Sequence, residues 1–139
     1  MPRPTWFILC TALLGTTLAA TAQDRFELLS ACNAGGSHAE QRKCLELKAS
    51  ESLVTLNSAE KSLIQKLRKV DQEPGVKQRA VAAAQEDAQA FVTYARKHCE
   101  AFASLAYGGN AQGDRRLACK IELNNARTRL LSKVNAATL

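Results

Sequence analysis

SHAEQRKCLELKASESLVTLNSAEKSLIQKLRKV, residues 37–70, decides the fold. It opens on Ser37-His38-Ala39-Glu40, the S-x-x-E pattern in which Ser and Glu satisfy each other's free backbone N–H groups at a helix start. Neither Gly nor Pro interrupts it. Apolar residues Ala49, Leu53, Leu56, Leu63, Leu67 and Val70 recur at spacings of three, four or seven, and Leu45 extends the stripe backward. Glu46, Lys48, Glu51, Glu60, Lys61 and Lys66 take the other faces. This is the pattern of an amphipathic helix that starts after Ser37 and ends near Val70.

The same punctuation organises the rest of the chain. Gly35-Gly36, Pro74-Gly75 and the Gly108-Gly109/Gly113 group interrupt stretches rich in Ala, Leu, Glu, Lys, Gln and Arg, which favour helix. A second helix is expected from about Val76 to Ala106. Its stripe is Val76, Ala80, Ala83, Ala84, Ala88, Phe91, Ala95, Cys99, Phe102 and Leu105. A third is expected from Asp114, as N-cap, to about Val134, with Leu117, Ile121, Leu131 and Val134 inward and Leu123 and Leu130 broadening the apolar side. A short turn around Phe26 to Ala31 would pack across one end. No useful run of Val, Ile and Tyr alternates as a strand would. The expected class is all-α: an up-down-up bundle of three long helices with a thin, Ala-rich core.

The first residues alter the overall counts. The chain has 139 residues, 19 Lys and Arg against 13 Asp and Glu, a net charge of +6, and five cysteines. Arg3 is the only charge before Asp24, and residues 6–20 read WFILCTALLGTTLAA. Ala20-Thr21-Ala22 then precedes polar Gln23-Asp24-Arg25. A basic start, a short apolar run and an A-x-A exit form a secretory signal peptide. The run is too short for a membrane span of ~20 residues. Cys10 lacks the small preceding residue of a lipoprotein signal. Residues 1–22 are thus expected to be cleaved, leaving residues 23–139 as one helical domain without a stable membrane anchor, periplasmic or secreted.

Cleavage leaves a charge of +5 and four cysteines: Cys32, Cys44, Cys99 and Cys119. An even count in an exported chain favours two disulfides. Cys32 precedes the first helix and Cys44 lies in its second turn. A hairpin of the second and third helices brings Cys99 to the same end as Cys119. Of three possible connectivities, helix geometry favours Cys32–Cys44 and Cys99–Cys119.

No catalytic constellation emerges. His38 falls within the capping box, and His98 precedes Cys99 near a helix C-terminus, where a cation is favoured. A Cys–His pair would need a free thiol, and no zinc spacing is present. Adjacent Glu86-Asp87 diverge on a helix. No phosphate loop follows a strand. The chain is therefore expected to be a binder with no catalytic residues, cofactor or metal. Its cations are mixed with acids, so nucleic acid is not an expected partner, whereas anionic envelope surfaces attract it non-specifically. The most distinctive exposed element is the loop from Tyr107 to Asp114, with Tyr107, Gly108, Gly109, Asn110 and Asp114 as candidate binding residues. Held at its base by Cys99–Cys119, it is either a binding device or a connector fixed for stability.

Several of these pieces together resemble the LprI lysozyme-inhibitor family. They are Cys32, then Glu40-Gln41-Arg42-Lys43-Cys44-Leu45, then Leu56-Asn57 with Lys61, then Phe91-Val92-Thr93-Tyr94 before Cys99. Gly108-Gly109, Cys119, Leu123 and Arg127 complete the resemblance, which covers about residues 30 to 131. The family usually has Trp at the place of Phe91 and Arg-Asp after the Tyr, where this chain has Ala95-Arg96. The resemblance implies an exported bacterial protein that binds and inhibits lysozyme. A non-inhibitory envelope protein, whether structural, an immunity partner or a binder of cell-wall polymer, is the alternative. Animal-type lysozymes are commonly basic, so a +5 inhibitor needs an acidic patch for favourable steering. Glu40 and Glu86-Asp87 are the residues that hint at one. Oligomeric state is left open.

Overall fold

A computed structural model describes residues 28–33, 36–106 and 108–137. The expected signal peptide, residues 1–22, and Tyr107 lie outside the described residues. Within them all secondary structure is helical: α1 at 28–33, α2 His38–Lys69, α3 Pro74–Ser104 and α4 Gly109–Ala136. The expected bundle of three helices is thus corrected to four. The segment read as a turn is helical from residue 28, because Leu28, Leu29 and Cys32 share a face that packs on Leu45 and Ile121.

Local chemistry sets the helix ends. The Ser37 N–H donates to Glu40 Oε2 at 2.7 Å and the Glu40 N–H to Ser37 Oγ at 3.4 Å, so the capping box is formed. Pro74 occupies the first turn of α3, two residues before the expected start at Val76. Its missing N–H costs nothing there, since that donor has no partner inside the helix. Helix α4 begins at Gly109, five residues before the expected N-cap Asp114. Gly108, at φ 92° and ψ −172°, makes the reversal, and Gly109 follows at φ 71°. Asn110 to Gly113 then enter the helix instead of forming a loop.

Contacts between helix ends fix the directions. His38 opens α2 and touches Asp114 near the start of α4, while Lys66 near the end of α2 donates to the Val134, Asn135 and Ala137 carbonyls. Helices α2 and α4 therefore run parallel. Arg116 reaches Glu100 and Arg127 reaches Asp87, so α3 runs antiparallel to α4.

The core is narrow and lopsided. Leu45, Cys99, Ala103, Ala118, Cys119 and Ile121 are buried beside the two disulfides, Cys32–Cys44 and Cys99–Cys119, the pairing expected from helix geometry. Toward the α2–α3 turn, Leu131 is buried, whereas Val76, Leu130 and Val134 stay exposed. Leu53, expected inward, is 48% exposed, and Ser52 is buried in its place. Position 52 continues the 45–49–52–56 row, and residue 53 lies ~100° further round the helix. Ser52 is satisfied by donating to the Ala49 carbonyl and accepting from Asn124 Nδ2 at 3.1 Å.

Candidate functional site

The first turns of α2 and α4 lie side by side at the stapled end, against α1. Leu29, His38, Gln41, Asn110, Asp114 and Arg115 line an open cleft of about 400 Å³ between them. Asp114 holds this tip together. Its side chain is only 7% exposed, with Oδ2 2.8 Å from His38 Nε2 and Oδ1 3.6 Å from Arg42 Nη1. Arg42 also donates to Glu46 Oε1 at 2.8 Å, which holds its guanidinium firmly protonated. The guanidinium passes over Gly113, where an added Cβ would collide with it.

Beyond that anchor the chain reverses in open space. A Cβ placed on Gly108 or Gly109 would meet nothing within 4 Å. Asn110 and Ala111 are exposed, and Arg115 is half-buried at the cleft rim. Cys99–Cys119 clamps the other side of this reversal. The turn is thus held from two directions, and the backbone N-termini of two long helices face the same region. Such N-termini carry partial positive charge, offset at α2 by the Glu40 carboxylate of the capping box and left without a side-chain cap at α4. Arg115 adds to that bias.

Among the sequence-derived candidates, Asn110 and Asp114 come together with His38 in this cleft, and Gly108 and Gly109 form the reversal beside it. Tyr107 lies outside the described residues. Asp114 is not an exposed loop residue but a buried tie between helices. The roles of His38 and Arg42 were hidden in the sequence because they are separated from Asp114 by more than seventy residues; only the helix register brings them together. His98 is half-buried and stacks on Tyr94, with ring centroids 5.3 Å apart.

Acidic residues are mostly spent internally. Glu40 is engaged by the Ser37 backbone N–H, then by its hydroxyl, and is held below the usual carboxylate range. Asp87 and Glu60 both accept from Arg127, at 2.8 Å each, and the Arg127 guanidinium lies 4.7 Å from the Phe91 ring centre. Arg127 thereby joins all three long helices. The Arg116 fork on Glu100 lowers that carboxyl as well. Of the acids that hinted at a patch, Asp87 is ion-paired with Arg127 and Glu40 is bonded to Ser37.

Among the described residues no helix is long and apolar enough to cross a membrane. A family model described as lysozyme inhibitor LprI matches residues 30–131. Comparison with curated proteins and with solved structures returns no match.

Proposed function

The chain belongs to the LprI lysozyme-inhibitor family, and from that membership we propose that it is an exported binding protein that blocks a lysozyme by seating its tip in the enzyme's cleft. The observation that carries this reading is the doubly anchored reversal at Gly108–Gly109, clamped by Cys99–Cys119 on one side and by Asp114 with His38 and Arg42 on the other. A turn ordered in advance loses little freedom on binding. Glycosidases work with a pair of carboxylates flanking the scissile bond. Arg115 and the uncapped N-terminus of α4 present matching positive charge to such a site, even though net charges repel at a distance.

Purified residues 23–139 should suppress lysis of cell-wall substrate at about equimolar ratio with one lysozyme class. Arg115→Glu and Tyr107→Ala should each weaken this by about tenfold or more, the scale of an interface hot spot. Absence of slowing with every lysozyme class would sink the proposal. The internal consumption of Glu40 and Asp87 favours a second reading, a non-inhibitory envelope protein. Pull-down from an envelope extract that captures protein other than lysozyme would select it.

A further inference from the structure

A second groove lies between α2 and α3, well away from the tip. It measures about 360 Å³, at the lower end of the ~300–1,000 Å³ typical of small-ligand sites. Asn57, Lys61, Ile64, Gln65 and Arg68 of α2 and Gln85 of α3 line it. His38 at the tip is nineteen residues from Asn57, about 28 Å along the helix.

The polar groups here are unspent. Elsewhere the protein uses its side-chain amides internally: Asn124 donates to Ser52 and Asn135 to the Ala59 carbonyl. Asn57, Gln65 and Gln85 make no such bond among the described residues, and Lys61 and Arg68 make no ion pair there. The carboxylate on the groove wall, Glu60, is turned to Arg127 at 2.8 Å. The groove therefore offers two uncompensated cations, three amides able both to donate and to accept, and one apolar side chain, Ile64.

That inventory discriminates among ligands. A phosphodiester only accepts hydrogen bonds and would leave the amide oxygens unused. The two cations are seven residues apart on one face of α2, ~10 Å along the axis. That spacing suits separated charges better than one compact anion. A chain of sugars bearing hydroxyl, amide and carboxylate groups uses every element, with a C–H face for Ile64.

We propose that the α2–α3 groove binds a carboxylate-bearing sugar chain. Lys61 and Arg68 hold its acidic groups, and Asn57, Gln65 and Gln85 bind its hydroxyl and amide groups. This site is independent of lysozyme inhibition, and its test contains no enzyme.

Calorimetric titration of residues 23–139 with peptide-free cell-wall glycan strands, which carry acetamido groups and lactyl carboxylates, should give saturable binding. Chitotetraose, with the acetamido groups alone, should bind about tenfold or more weakly. Lys61→Ala/Arg68→Ala should lose a similar factor, and Gln85→Ala a smaller one. Lys61→Arg/Arg68→Lys should retain binding. All these positions are exposed, and an unchanged helical circular dichroism spectrum confirms that the variants fold. Absent binding, equal binding of chitotetraose, or an unaffected double alanine variant would overturn the site. So would preferential binding of inorganic phosphate or of vesicles made from equal parts phosphatidylcholine and phosphatidylglycerol.

Discussion

Asp114 makes the case for reading single residues by their partners. It lies inside the tip with His38 on one oxygen and Arg42 on the other. Asp114→Ala would remove the hydrogen-bond partner of His38 and the ion-pair partner of Arg42, both on α2, and should cost about 0.5–1.5 kcal/mol in thermal or urea unfolding. Its loss would also loosen the reversal, so inhibition should weaken with it. Glu40 and Glu100 govern a different property. Both carboxyls titrate below the usual range, because Ser37 and Arg116 respectively favour their charged forms. Their contribution to stability is complete above the ordinary carboxylate pKa of about 4.3 and is lost as pH falls through the lower folded values. Glu40→Gln should therefore lower stability at neutral pH and shallow the acid limb of a stability-against-pH curve, so that the two curves converge in acid. Had Glu40 contributed nothing, the two limbs would superimpose.

At the level of the element, Gly108 carries the strongest backbone constraint described. Its φ of 92° with ψ of −172° falls in a region that only glycine enters readily. Gly108→Ala should destabilise by about 1–3 kcal/mol although the space around it is open, a strain effect that unfolding measurements can separate from packing. The helices themselves were largely legible in the chain. Ser37 and Glu40 announce the start of α2, and the absence of Gly and Pro keeps it continuous to Lys69. The starts of α3 and α4 were misplaced for one reason: Pro and Gly were read as breaks, whereas Pro74 suits a first turn and one glycine suffices to reverse the chain. Leu53 and Ser52 show a second limit. Both fit a helical spacing, and the choice between them rests on Asn124 of α4, which local sequence does not reveal. The tip was half visible: Asn110 and Asp114 stood out, but His38, Arg42 and Arg115 joined them only through the parallel register of α2 and α4.

Across the whole molecule, stability is unevenly distributed. The disulfides close segments of 12 and 20 residues and sit within the best-packed end. In the chain-entropy account each contributes about 3 kcal/mol. Replacing Cys99 and Cys119 together by Ala should lower stability by about that amount, read as a shift in the denaturation midpoint. Native-state hydrogen exchange should find the amides of α3 near Ala84 opening before those near Cys99, since no fully buried side chain of α3 precedes Ala95. Uniform protection along α3 would contradict this picture. The parallel run of α2 and α4 has a mechanical consequence. The described residues run from the stapled pole at 28 to the opposite pole at 137, so tension applied through those two points loads the bundle lengthwise. Helices under such a load must slide past one another along their full contact, which resists more than peeling them off singly. The crosslinks also shorten the load-bearing path, because force crosses Cys32–Cys44 and Cys99–Cys119 and leaves the enclosed segments slack. Anything joined to one pole is thereby held from anything joined to the other by roughly the 45 Å of a long helix.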